Sequence, residues 1–144
     1  MANEFIIKNG FKSQGPSEMT GSLTVTGSSS FVGNQIVTGS NRSNVTALAI
    51  SSNTASLDFS LGNFFTLQLV TGTNTFISMS NIRAGQTSIV EVSTIGSATV
   101  TFPSSVKQPS ASIYVPTTTT SKDLLTLASL SPSSVYVVSV KDLL

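Results

Sequence analysis

The chain has 144 residues, of which 39% are hydrophobic and only 9% charged, with a net charge of +1. Missing charge combined with abundant β-branched residues excludes the composition of disorder and predicts an ordered β-rich protein with an uncharged polar surface, one domain plus an arm. The lack of a basic cluster excludes a phosphate-neutralising nucleic-acid surface, and with neither cysteine nor histidine there are no disulfides, no thiolate, no usual general base near neutral pH and not the commonest metal ligand.

Residues 1–19 read as an arm. Phe5, Ile6, Ile7 and Phe11 make it apolar, while Gly10, Gly15 and Pro16 interrupt it. It is too short to bury itself, and a frayed terminus is the plain alternative. Four large apolar residues in so short a stretch point instead to a docking segment that orders on a partner. No run here is long enough for a signal peptide, and no segment anywhere reaches the ~18 apolar residues of a membrane span. The expectation is therefore folding in the cytosol without membrane insertion.

Residues 20–43 fall into four hexads, TGSLTV, TGSSSF, VGNQIV and TGSNRS, with glycine at 21, 27, 33 and 39. Glycine followed by serine or asparagine is turn chemistry, and Leu-Thr-Val and Gln-Ile-Val are strand chemistry. Six-residue periods occur in parallel β-helices, but a solenoid needs about three coils to bury a core, and four hexads make little more than one triangular coil. Three chains sharing one prism solve that problem. The hexads thus predict a trimeric stalk, with Leu23, Val25, Phe31 and Val37 at the interface. Spacing by six, an even number, puts Val25, Phe31 and Val37 on one face of a continuous strand. The alternative is a loop whose glycines merely recur. Asn41-Arg42-Ser43 and Asn44-Val45-Thr46 match the glycosylation sequon by chance in a Ser/Thr-rich chain.

Residues 44–144 read as a compact β domain. Strands are predicted at Ala47–Ile50, Ser56–Leu61, Phe64–Val70, Thr75–Met79, Thr87–Ser93, Ala98–Phe102, Ser112–Val115, Leu124–Ala128 and Val135–Val140. Alternation such as Leu57/Phe59/Leu61 against Asp58/Ser60 marks strands with one buried face. Turn residues recur every 8–12 positions, which suggests an antiparallel sandwich or jelly roll. No convincing helical stripe appears.

Chemistry is sparse. The carboxylates are Glu4, Glu18, Asp58, Glu91, Asp123 and Asp142. Asp58 and Glu91 are the one pair well inside the domain, and both read as solvated strand faces rather than a glycosidase pair. Asp123 and Asp142 each follow a lysine in a repeated Lys-Asp-Leu-Leu and read as turn and terminus residues. Serine has no histidine to activate it, and Lys107 or Lys122 offers no specific dyad spacing. There is no phosphate loop, zinc pattern or calcium loop. Tyr114 and Tyr136 read as core or interface packing.

MANEFIIKNGF followed by Gly-Ser-Leu-Thr-Val-Thr-Gly resembles the start of many tailed-bacteriophage fibre and virion structural proteins. The stretches NIRAGQTSIVEVS, ATVTFPSSVK, SKDLLTLASL and VYVVSVKDLL resemble a β module common in phage tail and head-fibre proteins. Where that family often carries a tryptophan near the last strands, this chain has Val135-Tyr136-Val137. The resemblance implies a homotrimeric, non-enzymatic virion component.

The expectation is an all-β chain: a docking arm (1–19), a hexad-repeat trimeric stalk (20–43) and an antiparallel β-sandwich or jelly-roll-like domain (44–144). Its expected role is a short head fibre or capsid decoration protein, assembled in the host cytoplasm, without cofactor or metal, and partnered by itself and by other virion proteins. The second reading is a tail-fibre tip that binds a receptor or host surface glycan, and glycan-dependent binding would separate the two.

Overall fold

A computed structural model of the chain describes residues 14, 16, 18, 20–27, 29–109, 113–118 and 120–144. The predicted docking residues Phe5, Ile6, Ile7 and Phe11 lie outside these described residues. The chain divides into two units, residues 1–39 and 40–144.

In the first unit, and up to residue 43, the described residues form no strand. The expected β stalk is not made by the single chain. The physical reason is that an extended segment becomes a strand only by pairing, and one chain offers the hexads no partner. The sequence period nonetheless has a backbone counterpart. Gly21, Gly27, Gly33 and Gly39 share a positive φ of 109°, 106°, 114° and 125°, a conformation that favours glycine.

The second unit is all-β, with ten strands among its described residues: β1 Val45–Leu48, β2 Ile50–Ser51, β3 Thr54–Asp58, β4 Phe64–Gln68, β5 Asn74–Ser80, β6 Gln86–Ser93, β7 Thr99–Thr101, β8 Val106–Lys107, β9 Lys122–Ser131 and β10 Ser134–Leu143. A single 3-10 turn, Phe59–Leu61, follows β3. Two sheets result, ordered β1-β4-β6-β9-β10-β8 and β2-β3-β5-β7.

The expected antiparallel sandwich is corrected to a short solenoid. The chain passes back and forth between the two sheets, and coil strands stack in parallel on each side: β1 with β4, β4 with β6, β3 with β5, and β5 with β7, while β2 pairs antiparallel with β3. Val45 lies beside Phe64 and Phe64 beside Ile89, so one coil takes about 19–25 residues, the repeat scale of a solenoid. Period two sets which face of a strand is buried but carries no information on strand direction. From β3 to β7 the 8–12-residue strand spacing comes from two strands per coil.

After β8 the chain stops coiling. The hairpin β9–β10 inserts between β6 and β8, antiparallel to β6 through β9 and parallel to β8 through β10. The predicted strand at Ser112–Val115 is absent in its described part, Ile113–Val115, and β8 was not anticipated. The core lies between the sheets. Phe65, Leu67, Val90, Val92, Leu125, Leu127, Val135 and Val137 from the six-stranded sheet cluster with Ala55, Leu57, Ile77 and Val100 from the four-stranded one. Phe59 is buried, but Leu61 is exposed because the 3-10 turn breaks the expected alternation.

Candidate functional site

The hexads present apolar side chains without cover. Leu23, Val25, Phe31 and Val37 keep 53–67% of their surface exposed, and Val32 and Ile36 are fully or nearly bare. Burying a Val, Leu or Phe side chain is worth about 1.5–3 kcal/mol relative to exposure. Six such residues in one short segment are therefore a large unused driving force for association.

A second apolar surface lies on the face of the six-stranded sheet that points away from the core. Strand register aligns Val45, Phe64, Ile89, Thr126 and Val138 in one row across β1, β4, β6, β9 and β10. The next row holds Ala47, Thr66, Glu91, Leu124 and Val140. On the other side Thr87, Ala128, Tyr136 and Lys107 align. Val45, Val138 and Val140 are 65%, 60% and 55% exposed, and Tyr136 and Phe64 are also exposed. The charges on this face are few. Lys107 stands at the β8 edge, and Lys122 Nζ donates to Glu91 Oε1 at 2.7 Å.

That ion pair borders an open hollow of about 520 Å³ lined by Thr66, Gln68, Glu91, Ser93, Ile95 and Lys122, among others. Ser93 Oγ donates to Gln68 Oε1 at 2.8 Å, which fixes the amide there. The hollow offers uncharged hydrogen-bonding groups and one neutralised charge pair. It is chemistry for a polar ligand and lacks a general acid–base set.

Among the described residues the carboxylates of the second unit stand apart from one another. Asp58 and Glu91 sit on different sheets, each between buried neighbours and hence on the face away from the core. Asp58 caps the 3-10 turn, accepting from Ser60 Oγ, Asn81 Nδ2 and Ser60 N. Those bonds hold its carboxyl below the usual range. Among the described residues no group of three or more acidic side chains could hold a metal ion.

Asp123 departs furthest from expectation. It is buried, 1% exposed, and not a turn residue. Its carboxylate accepts from Tyr114 Oη at 2.9 Å, Thr117 N at 2.8 Å, Thr117 Oγ1 at 2.6 Å and the backbone N of Asp142 at 2.9 Å. Burial pushes its pKa up, but the four hydrogen bonds outweigh it and leave the carboxyl below its ordinary value. Burial, then the nearby Asp123 charge and hydrogen bond, holds the Tyr114 phenol far above its ordinary value. Tyr114 is thus a fixed hydrogen-bond donor in the core. The cluster ties residues 113–118 and the end of β10 to β9. Its four donors occupy both carboxylate oxygens, which makes it a structural tie.

No protein-family model, curated protein or solved structure matches the chain.

Proposed function

We propose that this chain is a non-enzymatic structural protein of a bacteriophage virion, a short homotrimeric head fibre or capsid decoration protein anchored through its N-terminal arm. One observation carries the assembly part of this reading: the hexads pair a six-residue sequence period with a matching glycine backbone conformation, while their apolar side chains stay exposed. A segment so regular and so apolar is built to be shared between chains. Closed cyclic symmetry is the economical way to share it. The virion setting rests on the resemblance of the N-terminal and C-terminal motifs to phage fibre proteins.

The test has two parts. Light scattering of the purified full chain should give about three times the chain mass at micromolar concentration, and a stable monomer or a symmetric dimer overturns the assembly. Removal of residues 1–15 takes away Phe5, Ile6, Ile7 and Phe11 but leaves every hexad. That variant should remain trimeric yet fail to join particles. Normal occupancy on particles would refute the anchor.

The second reading, a glycan- or receptor-binding tail tip, is favoured by the polar hollow at Gln68, Glu91, Ser93 and Lys122. Glycan binding by the full chain that is lost in Gln68→Ala would support it over a purely structural role.

A further inference from the structure

We infer that the outward face of the six-stranded sheet is a second self-association surface, turned toward a threefold axis and covered by the same face of two further copies of the chain. The inference rests on the trimeric reading above but concerns a surface separate from the hexads. The face has a row of large apolar residues, Val45, Phe64, Ile89 and Val138, interrupted by Thr126, running across five strands. Contiguous apolar patches beyond a few hundred Å² are uncommon on monomers and mark interaction sites.

Charge decides what covers it. A strongly charged partner would call for a complementary field. On this face Glu91 of β6 and Lys122 of β9, on the two middle strands, neutralise each other, and Lys107 stands at the β8 edge. Identical copies meet over such a face with no unpaired charge on its middle strands.

Edge pairing is limited at the outermost strands. The terminal strands of the two sheets, β1, β8, β2 and β7, have only four, two, two and three residues. Short edges are poor templates for adding a strand. Beyond Tyr136, where pairing with β8 ends, Val137–Ser139 of β10 line a small hollow with Gln108, Pro109 and Tyr114.

The dimensions also fit. Six strands at about 4.8 Å spacing make a face about 24 Å wide, and three such faces closed into a triangle would lie about 7 Å from the axis. Face-to-face sheets pack about 10 Å apart, so half that spacing is about 5 Å. Side chains of valine to tyrosine size fill such an interior without leaving a wide channel. Three outward rows give a footprint of roughly 300–400 Å² per copy, about half of what one partner contributes to a standard interface. The hexads supply further area in the same symmetric assembly.

The chain has no cysteine, which makes a single-thiol experiment clean. Val138→Cys places a thiol in the apolar row, and Thr101→Cys places one on the exposed side of β7 in the other sheet. Both full-length variants are labelled with a maleimide at micromolar concentration, with mass followed by light scattering. The expected result is threefold mass, with Val138→Cys labelled about tenfold more slowly than Thr101→Cys because access requires opening of the interface. Threefold mass with equal rates overturns the buried face while leaving the hexad trimer intact. Monomeric mass overturns both, and dimeric mass with a protected thiol overturns the threefold arrangement. A Val138→Glu variant, which replaces a side chain already exposed in the single chain, should fold but dissociate on dilution sooner than the parent. Unchanged dissociation also overturns the inference.

Discussion

Replacing Asp123 with asparagine tests the structure at its most committed point. The two carboxylate oxygens each receive one backbone N–H and one hydroxyl: Oδ2 from Thr117 N and Tyr114 Oη, Oδ1 from Asp142 N and Thr117 Oγ1. In Asp123→Asn one oxygen becomes an NH₂ group. A hydroxyl facing it can turn to accept, but a backbone N–H cannot. Whichever way the amide points, one N–H, of Thr117 or of Asp142, loses its partner. An unsatisfied buried donor costs about 1–3 kcal/mol, and the remaining bonds lose their charge assistance. A destabilisation of about 2–3 kcal/mol follows, or a fall in Tm of roughly 10 °C for a unit of this size. Tyr114→Phe removes one donor and leaves the carboxylate three partners, so it should cost less. The folded pKa of Asp123 is lowered, so its contribution is fully present above the unfolded value of about 3.9 and is lost as pH falls through the folded value. Thermal unfolding should therefore show a constant gap between parent and Asp123→Asn from pH 5 to 8, by this linkage, narrowing only below about pH 4. A loss under about 0.5 kcal/mol at pH 7, against the cost of an orphaned donor, or a gap that persists unchanged into strong acid, would refute the hydrogen-bonded node.

Ser88 is fully buried on β6 and its Oγ has no hydrogen-bond partner; Ser88→Ala should leave Tm unchanged or raise it by an amount worth about 1 kcal/mol, and a clear loss in calorimetry would show a partner the hydroxyl does use. A Cβ at Gly96 would lie 2.7 Å from Thr71 Cγ2; Gly96→Ala should cost about 1 kcal/mol or more, and Thr71→Ser, which deletes that methyl, should recover most of it in a double-mutant cycle. In the hexads, Phe31→Asp should dissociate the trimer at neutral pH and recover in part in acid, because three carboxylates near one axis repel and resist desolvation. Phe31→Leu and Ser30→Asp should be tolerated, and equal damage from Ser30→Asp would show that the hexads are only turns.

Strand positions in the β unit were largely legible because alternation is local. Leu57 and Phe59 were set on the buried side by alternation with Asp58 and Ser60, and they are buried. Direction was not legible. Pairing β4 with β1 and β6 joins residues about 19–25 positions apart, and nothing within one strand records which way its neighbour runs. Asp123 had a signal that was passed over. It shares parity with Leu125 and Leu127, both buried, so an acidic residue on the core side of β9 implied a set of donors waiting for it. The repeated Lys-Asp-Leu-Leu is tied to the same node. Lys122 pairs with Leu143, and the Asp142 N–H, at a bulge with positive φ, donates to Asp123. The outer apolar face had its own trace in Val135–Val140, which is apolar at five of six positions. A near-continuous apolar run is the mark of a strand covered on both faces.

The end of the coil bears on how copies of the chain meet. A parallel solenoid that simply stopped would expose a full-length strand edge, a template for further strands from any neighbour. Here β9–β10 enters between β6 and the two-residue β8, so β9 is interior, while β10 pairs with β8 only at Val135 and Tyr136. Their insertion also widens the sheet from four strands to six. It brings Thr126, Leu124, Tyr136, Val138 and Val140 into the outward rows begun by Val45 and Phe64. The same hairpin that covers the edge of β6 thus completes the apolar face. Edge pairing can add strands without limit, whereas a face turned to a symmetry axis closes after a fixed number of copies. Val138→Glu should lower the oligomeric state without provoking fibrous aggregation, because the new carboxylate stands on β10 and a charge on an outer strand opposes strand addition there. Fibre growth by that variant, seen as a rise in light scattering over hours, would mean that the edges and not the face were the controlled surface.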